Sequence, residues 1–266
     1  NQAEWGLVRA CTGEGVKSAV LLDIGVGRKL DDISYIEFPD RFMVTNRGCV
    51  EELVGCGACR DNVVVTGSAH LETLSDRKIG MASDQIKRWY GIEDNSNIVP
   101  FFTSPNTDDS IDALNSLTSV IPKTPLSHPT LVIRPHPRTT KMERLEDACR
   151  QLQHVHYDPG DQIHRYDLLR ASLLSLAMGS TVSLESLVLG TPSAFYQIGW
   201  DFNQLDRMYR NVEAVSRVRN PAQLDEFVKS VMDEEFIFVL DDTEFSNGAS
   251  DRIWQVISDL RGQPKT

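Results

Sequence analysis

The sequence predicts an α/β chain built on parallel sheets, and three stretches carry that prediction. Residues 172–196, SLLSLAMGSTVSLESLVLGTPSAFY, read as strand, tight turn, helix and strand. Their apolar run 173–178 meets the break Gly179-Ser180-Thr181; Leu184, Leu187 and Val188 then follow helical spacing up to a stop at Gly190-Thr191-Pro192. Leu131-Val132-Ile133 and Val63-Val64-Val65 are two further strands, the latter ending in a turn at Gly67. Strands alternating with helical stretches argue for crossover units and a doubly wound sheet.

In order along the chain, an apolar run at Trp5-Gly6-Leu7-Val8 precedes a strand over 16–22 that ends at Asp23. A strand at 41–45 (RFMVT), a helix over 48–54 and the strand at 63–65 follow. Residues 71–90 read as one helix with Ile79, Met81, Ile86 and Trp89 as its apolar members. Asn97-Ile98-Val99-Pro100-Phe101-Phe102 opens a second domain, with Thr103-Ser104-Pro105-Asn106 beyond the strand end. Helices are expected over 108–120 and 141–152, a short strand around Val155 and Tyr157, and a turn at Asp158-Pro159-Gly160-Asp161. Beyond Asp201 helices are expected, residues 236–240 (FIFVL) fit either strand or buried helix, and Ile253, Trp254, Ile257 and Leu260 mark a closing amphipathic helix.

Two segments carry chemistry. Gly179 permits a sharp turn, and Ser180 or Thr181 is placed to cap the helix, whose first N–H groups suit a phosphate. Glu185 lies one helical turn after Thr181 on the same face. In Arg134-Pro135-His136-Pro137-Arg138 each proline pushes the residue before it to extended backbone. Extended chain would align Arg134, His136 and Arg138 in one cationic stripe, although Arg138 also reads as a surface charge. Both segments follow strand ends, where open α/β sheets bind ligands.

RPHPR followed by GSTVSLESLVLGTP resembles the C-terminal domain of GT-B glycosyltransferases. The likeness is to the branch with His-Pro and Ser-Ser or Ser-Thr motifs: capsule-polysaccharide enzymes, polysialyltransferases and CDP-glycerol glycerophosphotransferases. It runs over residues 17–200, thinly outside the two motifs. It implies two Rossmann-like parallel-sheet domains: an incomplete N-terminal one (1–95), a donor-binding one (96–245), and a C-terminal helix (246–266) crossing back to the first. It further implies that Arg134, His136, Ser180 and Thr181 hold the donor phosphates and Glu185 the ribose, with residues 157–163 near the base. The implied partners are a CMP-, CDP- or UDP-linked donor and a glycan or lipid-linked acceptor, with no other cofactor and no metal. The missing first strands suggest part of a longer protein. The family pattern places the catalytic base in the N-terminal domain but not at Asp23, the visible carboxylate at a strand end; Glu14 matches an acidic-Gly motif too short to weigh. The base stays unassigned.

Composition narrows the partners. Lys+Arg 27 against Asp+Glu 38 gives a net charge of −11, which argues against nucleic acid or an anionic membrane as the main partner. No apolar run is long enough to span a bilayer. Five cysteines, an odd count, point to reduced thiols and a cytoplasmic setting, including the inner membrane face. Cys56-Gly57-Ala58-Cys59 lacks a second ligand pair at zinc spacing. His154, His156 and His164 belong to no motif, and His70 is expected near a cleft without a role.

Three readings follow: transfer from a nucleotide-activated sugar or polyol phosphate in surface-polysaccharide synthesis; epimerisation like that of non-hydrolysing UDP-sugar 2-epimerases, which share the architecture; and a non-catalytic nucleotide- or partner-binding remnant.

Overall fold

A computed structural model of the chain describes residues 2–22, 37–74, 76–78, 80–126, 128–202, 212, 214–237 and 247–262. Asp23 therefore lies outside the described residues, as do 238–240 of the FIFVL stretch. The chain divides into two compact units, one of residues 1–75, 204–212 and 240–266, the other of 76–203 and 213–239.

In chain order the first elements are α1 (Gln2–Gly13), β1 (Ala19–Leu22), β2 (Arg41–Val44), α2 (Arg47–Gly55), β3 (Val63–Val65) and α3 (Ala69–Glu72). Next come α4 (Ser83–Tyr90), β4 (Asn97–Phe102), α5 (Thr107–Val120), β5 (Pro129–Arg134), α6 (Met142–Arg150) and β6 (Val155–Tyr157). Then follow α7 (Arg165–Arg170), β7 (Ser175–Ala177), α8 (Val182–Val188), β8 (Ser193–Tyr196), β9 (Ser216–Val218), α9 (Pro221–Met232) and α10 (Ala249–Gly262).

The first unit holds a parallel sheet in the order β1-β2-β3. Phe42, Val44, Cys49, Leu53 and Trp5 fill its core. Asn46 caps α2 through Oδ1, which accepts the Cys49 N–H at 3.0 Å. The closing helix α10 belongs here: the Glu72 carboxylate accepts from the Gly248 and Ser250 N–H groups, and Arg252 Nε donates to the Thr66 carbonyl.

The second unit holds six parallel strands in the order β6-β5-β4-β7-β8-β9, so the winding reverses between β4 and β7. This is the strand order of dinucleotide-binding sheets, whose ligands sit at that reversal. Asn106 caps α5 by accepting the Asp108 N–H, and Asp108 and Asp109 suit its positive end. Ser110, Ala113, Leu114, Leu117 and Val120 form its buried stripe. Against that stripe pack Phe101 and Tyr196, whose rings meet edge-on at 5.7 Å.

The expected helix over 71–90 is two helices. Ahead of α4, Gly80 donates its N–H to Asp167 Oδ1 and Gln85 caps the Ala82 N–H, which sets the start of the second helix, while Ile79 lies outside the described residues. Ile86 of α4 packs with Ile98, Val132 and Leu168, so the division between units falls after residue 75 rather than 95. The residue 5–8 run lies in α1, and α7 and β9 arise from stretches too short for a periodic signal. Replacing Phe101, which has no exposed surface, by Ala should cost about 3–5 kcal/mol in denaturant unfolding.

Candidate functional site

A cavity of about 350 Å³ opens at the strand reversal of the second unit, lined by 14 residues from the ends of β4, β5 and β7, the loop after β6, and helices α7 and α8. All five residues singled out from the two motifs, Arg134, His136, Ser180, Thr181 and Glu185, line it.

Gly179, at φ +78°, makes the turn after β7. Ser180 is the capping side chain: its Oγ accepts the Val182 N–H at 3.3 Å. Thr181 has helical backbone and makes no side-chain cap, which leaves its hydroxyl open to the cavity. Helix α8 is only seven residues long, so hydroxyl and N–H donors matter more here than a helix dipole.

The expected cationic stripe does not form. The chain turns at 136–139, where Thr139 N–H donates to the His136 carbonyl at 2.8 Å, and this breaks the alternation that extended backbone would impose. Arg138 is exposed and gives its N–H to His136 Nδ1 at 3.0 Å. An accepting Nδ1 places the ring proton on Nε2, so the neutral imidazole keeps one donor for a ligand. Burial, and then the charge of Arg138, hold the His136 pKa below the usual imidazole value. Thr103 braces the same loop, its hydroxyl accepting the His136 N–H at 3.3 Å.

Arg134 is 6 % exposed and is committed to the fold. Its Nη2 forms an ion pair with Asp158 Oδ2 at 2.8 Å and donates to the Ile163 carbonyl. Asp158 also accepts from the Tyr90 hydroxyl, and through Oδ1 from the Gly160 N–H at 2.7 Å. Burial, and then the bond to Asp158, push the Tyr90 phenol well above its ordinary pKa. The DPGD turn therefore fixes an arginine as well as reversing the chain.

Glu185, 3 % exposed, is gripped by Arg165 from α7, Nε to Oε2 at 2.9 Å and Nη2 to Oε1 at 3.2 Å. Arg165 Nη2 also donates to the Tyr166 hydroxyl, and the Arg165 and Arg77 guanidinium groups each sit 4.7 Å from the Tyr166 ring centre. Sequence reasoning missed Arg165, which lies in no motif, and set aside His164, which lines the cavity. His164 Nδ1 caps α7 by accepting the Tyr166 N–H, and its pKa is lowered by burial and then by Arg77 and Arg165. Both cavity arginines thus face carboxylates: Glu185 in the lining cancels Arg165, and Asp158, which is not itself a lining residue, cancels Arg134, while the lowered pKa values of both histidines favour their neutral forms at pH 7.

Elsewhere the five cysteines are free thiols, and no cluster of three metal-ligating side chains occurs among the described residues. Among those residues no helix is long and apolar enough to cross a membrane. No protein-family model and no curated protein matches the sequence.

Two predictions rest on this geometry. Asp158→Ala strands a buried guanidinium and should cost about 3–5 kcal/mol of stability, read from denaturant unfolding. The folded pKa values of His136 and His164 lie below the unfolded value of 6.5, so the unfolded chain binds protons first as pH falls. The stability they contribute is whole above pH 6.5 and is lost as pH drops through their folded values; the unfolding midpoint should decline there, and less steeply in His136→Gln/His164→Gln.

Solved structures share the architecture. A UDP-GlcNAc 2-epimerase from Neisseria meningitidis bound to UDP-GlcNAc is similar at TM-score 0.66 and 13% identity, over 97% of this chain and 74% of that one. A putative UDP-N-acetylglucosamine 2-epimerase from Listeria monocytogenes gives TM-score 0.66 and 14% identity, over 100% and 74%. The UDP-GlcNAc 2-epimerase of Methanocaldococcus jannaschii gives 0.61 and 14%, over 94% and 72%. The likeness shows the fold: this chain is an α/β protein of GT-B-like architecture with parallel sheets.

Proposed function

We propose that the chain is an enzyme acting on a nucleotide-activated sugar, bound in the cavity at the strand reversal of its second unit. The observation that carries this reading is the convergence of Ser180, Thr181, His136 and Glu185, from separate strand ends and α8, on one cavity. The diphosphate lies against the two hydroxyls and the His136 Nε2–H, and a ribose hydroxyl donates to Glu185. Arg134, neutralised by Asp158, brings no net charge to the phosphates.

The reaction favoured by the two motifs is group transfer. An acceptor hydroxyl attacks the activated carbon, the bond from that carbon to the phosphate oxygen breaks, and the nucleotide leaves. His136 donates to the phosphate as charge develops on it, the contribution an oxyanion site makes. The base that takes the acceptor proton is unassigned. Polysaccharide synthesis, with a glycan or lipid-linked acceptor and a cytoplasmic location, follows the motif resemblance.

Epimerisation at C2 of a UDP-sugar is the second reading, because a 2-epimerase bound to UDP-GlcNAc shares the fold over 97% of this chain. It needs a carboxylate near C2 to take a proton. UDP-GlcNAc incubated without acceptor tests it: appearance of the 2-epimer supports the second reading, and an unchanged sugar counts against it.

Calorimetry with CMP, CDP, UDP and GDP tests the site itself. One nucleotide should bind selectively, and His136→Ala and Ser180→Ala should each weaken it by about 10-fold, the loss of one hydrogen bond to a charged group. Failure of all four to bind overturns the proposal. Binding without transfer, hydrolysis or epimerisation would make the chain a non-catalytic nucleotide-binding protein.

A further inference from the structure

Arg134 uses only part of its guanidinium. Nη2 serves Asp158 and the Ile163 carbonyl, and Nε is buried without a hydrogen-bond partner. Nη1 makes no hydrogen bond among the described residues and, unlike Nε, is not sealed from the cavity. Gly160 packs directly against it: a Cβ at that position, on backbone with φ +91°, would stand 2.8 Å from Nη1 and force it aside. Gly160 and Arg134 both line the cavity, so the glycine and the guanidinium it touches meet at the cavity wall.

Gly160 follows β6 and Ser180 follows β7, with β5 and β4 between those strands. Three strand spacings separate the two by roughly 14 Å, about the reach from a diphosphate to the far side of its nucleoside. The charge at the Gly160 end is already balanced by Asp158, which leaves a directional donor suited to an uncharged oxygen.

We infer that Arg134 is a specificity-determining residue: through Nη1, beside Gly160, it donates to a keto oxygen of the nucleobase rather than to phosphate. This inference rests on the nucleotide-sugar reading of the cavity. It makes a base with a carbonyl on the edge facing β6 part of the recognised ligand, and it makes residue 160 the position at which that recognition is lost.

The test compares three ligands that differ in phosphate number, uridine, UMP and UDP, or the cytidine or guanosine series if that base is the one bound, with inorganic pyrophosphate as the probe lacking a base. The proteins are the wild type, Gly160→Ala, and Arg134→Gln/Asp158→Asn, in which an amide pair replaces the ion pair and avoids a buried lone charge. Both variants should weaken nucleoside, monophosphate and diphosphate by the same factor, about 10-fold, and leave pyrophosphate unchanged. A loss that grows with phosphate number, or a loss of pyrophosphate binding, returns Arg134 to the phosphates and overturns the inference. Unchanged affinity for the nucleosides overturns it too. Pyrophosphate binding that depends on His136 but shows no preference for nucleotides sinks this inference and spares the phosphate site. Absence of binding by every probe sinks both.

Discussion

The buried pair between Arg134 and Asp158 is the interaction on which the site depends. It joins the end of β5 to the loop after β6, and Tyr90 draws the end of α4 into the same contact. Desolvation makes such a pair a poor source of net stability, since charges removed from water must recover what hydration gave them. Its value is geometric. Asp158 meets a guanidinium, a phenol and a backbone N–H together, a set of donors that few other arrangements of this loop could supply.

A second pair repeats the pattern at the other side of the cavity, where Arg165 holds the Glu185 carboxylate in a two-point grip. Each arginine is oriented by the carboxylate that cancels it. The cavity is therefore a set of aimed donors and acceptors rather than a charged bowl, and that suits a ligand with phosphate at one end and an uncharged ring at the other.

Much of this was legible in the sequence where the signal was local. The strand–turn–helix of residues 172–196 declares itself because Gly179, Gly190 and Pro192 punctuate an apolar pattern within 25 residues. The five cavity residues from the two motifs could be named for the same reason: each belongs to a short motif at a strand end or on the helix that follows it. What could not be read was long-range. Tyr90 and Asp158 are 68 positions apart, and Arg165 meets Glu185 from a six-residue helix with no periodic signature. The stripe of Arg134, His136 and Arg138 failed for a related reason. Proline restricts the residue before it, but whether the chain then turns is decided by partners such as Thr139 and Thr103. The start of α4 depends likewise on Asp167, far along the chain.

The near-neutral cavity has a consequence for encounter rates. A chain with net charge −11 repels a phosphorylated ligand at long range, and the cavity's side chains offer no compensating field to draw it in. Small ions shorten the reach of that repulsion to about 10 Å at 0.1 M, within which the aimed hydrogen bonds take over. Association therefore quickens as salt is added, the reverse of a site that attracts its ligand with a surplus of lysine and arginine, while the lifetime of the complex is set by the short bonds and stays nearly constant.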